Sequence, residues 1–156
     1  MNYLQQLHDL CVGKDVSIAT AESCTAGLLA ARITSIAGAS SFFKGGIIAY
    51  QNDIKINFLN ASQSVIEEKT AVCSEVSEQM AVGVRDKFSA DFSIATTGYA
   101  GPTGGTELNP LGTVFIAVSS KEKTISRRFV FTGDRESVVN QVIIHGIDFL
   151  VEELKN

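Results

Sequence analysis

The sequence has little of most features that would narrow its class at a glance. In 156 residues it has no tryptophan, two prolines and three cysteines. Cys11, Cys24 and Cys73 are odd in number and irregularly spaced, which excludes a disulfide framework and leaves no CxxC pair for zinc. Reduced thiols of this kind fit a cytoplasmic protein. Apolar runs break at Gly, Ser or a charge within about ten residues, well short of the roughly 20 that a membrane span requires, so no membrane association is expected. The opening MNYLQQLHDLCVGKD has neither the basic start nor the apolar stretch of a signal peptide. No basic block is longer than Arg127-Arg128, and 13 Lys+Arg against 17 Asp+Glu leave a net charge of −4, which argues against nucleic-acid binding. The phosphate-loop pattern GxxxxGK[ST], the dinucleotide pattern GxGxxG and the nucleophile elbow GxSxG are all missing.

What is present is a core. Hydrophobic residues make up 45% of the chain, which excludes disorder and fits one domain over residues 1–156. Leu4, Leu7, Leu10 and Cys11 predict a helix over residues 1–12, stopped by Gly13. VSIATA (16–21) reads as a strand, and Leu28, Leu29, Ile33 and Ile36 predict a helix opened by Ser23 and ended by Gly38. A strand over 42–50 enters through Gly45-Gly46, and a short helix follows over 52–59. Ser74 is a good N-cap for a longer helix with Val76, Met80, Val84 and Phe88 on one face. DFSIATT (91–97) reads as a strand, 113–119 and 125–131 as a hairpin, and 135–154 as a closing amphipathic helix. Strands alternating with helices and then a hairpin predict an α/β domain, three-layer α/β/α, with a mixed sheet.

Two strand-to-loop junctions stand out. ATAESCTAG (19–27) places small and hydroxyl residues where a strand becomes a helix, and free N–H groups at a helix start bind anions. TTGYAGPTGGTELNPLGT (96–113) holds Gly98, Gly101, Gly104, Gly105, Gly112 and both prolines. Ligands of open α/β sheets sit at the carboxyl ends of the strands, where both segments should lie, and glycine lets backbone come close to them. The alternative, a capping serine and turn-making glycines, is equally open on spacing alone.

Among nucleophiles, a serine at Ser23 needs a base. His8, in the first helix, and His145, in VIIHG, both read as structural, so no Ser-His-Asp triad or two-His metal site is supported, and no metal or cofactor is expected. Lysine remains. Lys55 follows Tyr50 by a strand end and one helical turn in AYQNDIK, a spacing that can aim a phenol and an amine at one pocket. An ordinary lysine, with a pKa of about 10.4, is neutral in roughly one molecule in 2,500 at pH 7. Lowering that pKa by about three units costs about 4 kcal/mol, which burial can impose. A solvated surface lysine is the competing reading.

The runs AESCTAG, KGGIIAYQNDIK, SIATTGYAGPTGGT, PLGTVFIAV and FTGDRESV occur in this order. Together they resemble the C-terminal domain of the competence-damage-inducible CinA family, found also as stand-alone nicotinamide-nucleotide amidases. The resemblance spans roughly residues 4–150 and implies an α/β three-layer fold. It further implies deamidation of nicotinamide mononucleotide (NMN) to nicotinic acid mononucleotide in pyridine-nucleotide salvage, without metal. Ser23 in ESCT would be the nucleophile, Lys55 closing Y-x-N-x-x-K its base, and Tyr50 an assistant. Thr25 and Gly27 at the helix start, Thr97, Gly98, Gly101, Thr103 and Gly104 in the glycine-rich segment, and Arg135 of the GDR motif are the candidate substrate-binding residues, with backbone N–H groups near Cys24 or in 98–101 as oxyanion donors. Members often form dimers or larger assemblies, so a homo-oligomer is expected. The sequence departs from the family pattern at Ala26, where TGG is common, at Tyr99 in place of a smaller aliphatic residue, and at Gln51 and Asp53-Ile54. A nucleotide-binding module without catalysis, and a Ser-Lys hydrolase for another amide, remain alternatives. So does Cys24 as a thiol nucleophile, although adjacent helical residues point about 100° apart and a buried hydrophobe fits it better.

Overall fold

The computed structural model describes residues 2–156. Five strands form one mixed sheet in the order β2-β1-β3-β4-β5, with β1 (Ile18–Glu22) parallel to both β2 (Phe43–Ile48) and β3 (Phe92–Gly98). β4 (Thr113–Ser120) runs antiparallel to β3 and pairs with β5 (Thr124–Val130) in the expected hairpin. One face is covered by α1 (Tyr3–Lys14), α2 (Leu28–Ile33) and α6 (Arg135–Lys155), the other by α3 (Asn52–Leu59), α4 (Gln63–Lys69) and α5 (Ser74–Phe88). This is the three-layer α/β/α architecture that the sequence predicted. No helix among the described residues is long and apolar enough to cross a membrane.

Alternation along the central strands sorts the two faces. Ile18, Ile94 and Ile116 face α6, whereas Ala19, Ala21, Ala95 and Ala117 face α5, and every one of these side chains is buried. The alanine face lets α5 lie close to the sheet. α3 then lies close to α5, because a Cβ on Gly83 would sit 2.1 Å from the Leu59 carbonyl oxygen. This close approach draws α3, and with it Lys55, against the carboxyl end of β1.

The structure differs from the sequence reading at α2, α4 and α5. The helix assigned from Ser23 to Gly38 spans only Leu28–Ile33, because residues 23–27 are a turn with Ala26 at φ 49° and Gly27 at φ 95° and the chain turns again over 34–38. α4 has no counterpart in the predicted elements. It is seven residues long, too short to show a helical period, although Ser62 caps it by accepting from the Val65 N–H at 3.3 Å. α5 begins at Ser74 itself, with Cys73 in the cap position.

Candidate active site

The ends of β1 and β3, the start of α3, the α4–α5 connection and Arg135 enclose a cavity of ≈ 350 Å³. Ser23, Cys24, Tyr50, Lys55, Tyr99 and Arg135 face it, together with Asn52, Thr70, Thr97, Gly98 and Thr103. Among the described residues its charged lining groups are the two cations Lys55 and Arg135. A larger cavity of ≈ 490 Å³ between α3 and α5 is edged by Glu75, Glu78 and Asp86 and has no lysine or arginine in its lining. Chemistry rather than size singles out the smaller one.

Ser23 stands immediately past the end of β1. Its N–H donates to the Thr96 carbonyl at 3.0 Å and its carbonyl accepts from the Ala26 N–H at 3.1 Å, so its backbone is held at both ends. The side chain is 9% exposed and makes no hydrogen bond within the described residues. Lys55, on the first turn of α3, is only 2% exposed. Its ammonium nitrogen Nζ donates to the Tyr50 carbonyl at 2.9 Å, and no carboxylate among the described residues pairs with it. Burial without a counter-charge pulls its pKa from 10.5 down to about 8. The surface reading of this lysine is therefore excluded.

Several sequence assignments need correction. Thr25 and Gly27 do not offer donors to a ligand, because the helix start they belong to is already filled. The Glu22 carboxylate accepts from the Thr25 hydroxyl at 2.6 Å and from the N–H groups of Gly27, Leu29 and Ala30 at 3.2, 2.8 and 3.0 Å. Thr25 is also fully buried, with its hydroxyl 2.9 Å from that of Thr96. Tyr50 meets Lys55 through its carbonyl and not its phenol. The phenol oxygen accepts from Arg135 at 3.0 Å at the cavity mouth. Thr97 lines the cavity, but its hydroxyl is committed to the Ala71 carbonyl at 3.0 Å. Gly101 contributes its carbonyl, which accepts from Arg135 at 2.7 Å. Gly104 lies outside the lining and backs onto the Tyr99 ring, while Gly98 and Thr103 do face the space.

Cys24 lines the cavity, yet burial pushes its thiol up to about 12, which leaves it without thiolate at neutral pH. His8 packs edge-on against Phe42 and His145 lies against Phe129 and Phe131; neither lines the cavity. Both pack against aromatic rings, and His145 is exposed. The sequence reading overlooked Glu22, Asn52 and Thr70. Thr70 holds φ 68°, unusual for a β-branched residue, and its hydroxyl lies 3.2 Å from that of Tyr99 across the rim. Asn109 was overlooked as well. It is buried and braces the wall from behind, donating to the Val72 carbonyl at 3.2 Å and accepting from Arg128 at 3.2 Å.

The family model of the CinA C-terminal domain matches residues 2–154. A CinA-like protein of Flavobacterium psychrophilum is 40% identical over 151 residues, covering 96% of this chain and 36% of that protein. A CinA-like protein of Geotalea daltonii is 43% identical over 138 residues, covering 88% of this chain and 33% of that protein. The chain thus spans about a third of the length of these curated relatives. Among solved structures, the competence damage-inducible protein A of Klebsiella pneumoniae matches with a TM-score of 0.95 at 30% identity, over 99% of this chain and 96% of that one. A CinA superfamily protein of Enterobacter cloacae matches with a TM-score of 0.93 at 32% identity, over 97% of this chain and 90% of that one.

Proposed function

The chain belongs to the CinA C-terminal domain family, and from that premise we propose that it is a serine amidohydrolase that converts NMN to nicotinic acid mononucleotide and ammonia. The observation that carries this reading is Lys55, a buried amine with a pKa of about 8 and no counter-charge among the described residues, lining the same cavity as a serine hydroxyl that bonds to none of them. At pH 7 a lysine with a pKa of about 8 is neutral in about 9% of molecules, a gain of roughly 200-fold over an ordinary one with a pKa of about 10.4. A neutral amine that donates one N–H to the Tyr50 carbonyl still has its lone pair to accept a proton.

Ser23 Oγ attacks the carboxamide carbon while its proton passes to Lys55 Nζ. The tetrahedral intermediate collapses with breakage of the C–N bond, and the lysine ammonium returns the proton to the departing nitrogen, which leaves as ammonia. Water then attacks the acyl ester, gives its proton to Lys55, and the ester oxygen recovers it as Ser23 is freed. The Cys24 N–H donates to no carbonyl within the described residues and follows the nucleophile directly, which makes it the first candidate for holding the oxyanion. Arg135 is the group for the nucleotide phosphate, since two of its N–H donors are spent on Tyr50 and Gly101 and the guanidinium has five.

The alternative of a nucleotide-binding module without catalysis has one observation on its side: Lys55 bonds to Tyr50 and not to Ser23. Ammonia release from NMN by the wild type, Ser23→Ala and Lys55→Ala decides between them. We expect release by the wild type and loss of at least about a thousandfold in both variants, as for removal of a nucleophile or its base. Binding of NMN by the wild type without release refutes the amidase reading, and unimpaired Ser23→Ala refutes the serine mechanism.

A further inference from the structure

Glu22 directly precedes the proposed nucleophile, is 1% exposed, and has no part in the reaction above. Its main chain belongs to the sheet. It pairs with Ile48 of β2 and Thr96 of β3, and its carbonyl accepts from the Ala49 N–H at 2.7 Å. Its side chain belongs to the helix: Oε1 accepts from Thr25, Gly27 and Leu29, and Oε2 from Ala30. A single residue therefore fastens both ends of the turn that carries Ser23. The carboxylate thus accepts from three backbone N–H groups and one hydroxyl.

The turn needs this fastening. Ala26 and Gly27 both hold positive φ, and each alanine in the left-handed region costs roughly 1–2 kcal/mol. A chain left to local preference would run from β1 into the helix without that reversal, and Ser23 would then point elsewhere. The Thr25 hydroxyl, bonded to Glu22 and set against Thr96, ties the same turn to β3.

We propose that Glu22 is a positioning residue for Ser23, its carboxylate clamping the strand-to-helix turn so that the serine hydroxyl faces Lys55. This inference rests on the serine–lysine reading. Arg135 and Thr103, the cavity-lining candidates for holding substrate, are carried by other segments. Loss of the clamp therefore lowers the rate of the chemical step and leaves binding nearly intact.

The test is steady-state kinetics on NMN with Glu22→Gln and Glu22→Ala, measured well below each variant's melting temperature. Glu22→Gln retains an oxygen for three of the four bonds and presents an NH2 to the Ala30 N–H. Glu22→Ala removes all four. We expect kcat to fall about tenfold and about a hundredfold respectively, with KM within about threefold of the wild type, the scale set by a misplaced reacting group. The inflection of the pH–rate profile should not move, because neither change touches Lys55. A kcat within about twofold of the wild type in folded Glu22→Gln, or a loss confined to KM, overturns the proposal and leaves the amidase reading standing. If Glu22→Ala does not fold, Glu22→Gln alone decides. A wild type that releases no ammonia overturns the amidase reading and this proposal with it.

Discussion

Replacing Lys55 by methionine keeps a long unbranched side chain in the cavity wall and removes only the ionisable head. The folded-state pKa of about 8 lies below the ordinary 10.5 expected for the unfolded chain. Between those values the unfolded chain binds more protons, so wild-type stability rises with pH in that window. Below about pH 8 both states are protonated and the burial penalty is present in full. It amounts to about 3 kcal/mol at pH 7, from about 2.5 units at 1.36 kcal/mol each, and to less than about 1 kcal/mol at pH 10. The variant lacks the penalty at every pH. It also leaves the Tyr50 carbonyl without its donor, a cost of about 1–3 kcal/mol that does not depend on pH. The unfolding free energy of the wild type relative to Lys55→Met should therefore climb by about 2.5 kcal/mol from pH 7 to pH 10, whatever the constant offset. Urea titrations of both proteins at pH 7, 8.5 and 10 measure it, and every other titrating group cancels in the difference. A difference that stays flat would mean that Lys55 is not held at a lowered pKa, and the catalytic assignment would lose its basis.

The same pKa predicts that kcat/KM for NMN rises roughly tenfold per unit up to about pH 8 and levels off above pH 9, which a pH–rate profile reads directly. Arg135→Ala should raise KM about 10- to 100-fold through loss of charge-assisted phosphate bonds, with a smaller effect on kcat; equal binding of NMN by calorimetry would remove Arg135 from the phosphate site. Ala26→Gly relieves a left-handed alanine at φ 49° but frees the unfolded chain, so a net gain of about 0.5–1 kcal/mol in urea unfolding is expected.

Most of the fold was legible because each long element carries its own period. The faces of α1, α5 and α6, the hairpin and the short α3 all follow from apolar spacing and turn residues within one segment. The elements that were missed or misplaced are those set by partners elsewhere. α4 is too short for a period, and its existence depends on packing Ile66 into the cluster around α5. The start of α2 was assigned to Ser23 because a serine before a helical pattern is the ordinary signal for an N-cap. The cap is supplied instead by Glu22, from inside the preceding strand. A carboxylate in a run of small strand residues gives no hint that its side chain turns back over the following turn.

That displacement of the cap also explains which part of the site was misread. A free helix start and a bound phosphate make the same demand of a sequence, small and hydroxyl residues at the end of a strand, so AESCTAG fits either. The structure separates them by charge: the N–H groups of Gly27, Leu29 and Ala30 already hold an anion that belongs to the chain. A phosphate brought to the same point would meet a buried carboxylate and pay the repulsion of two like charges. An anionic ligand is therefore directed to the other side of the cavity, where Lys55 and Arg135 are the charged lining groups. Ser23 and Lys55 could be singled out from motif order because each is marked by its own side-chain type, and the structure sets both on one cavity. The helix start was misread because nothing in the sequence shows that its N–H groups are already taken by the Glu22 carboxylate.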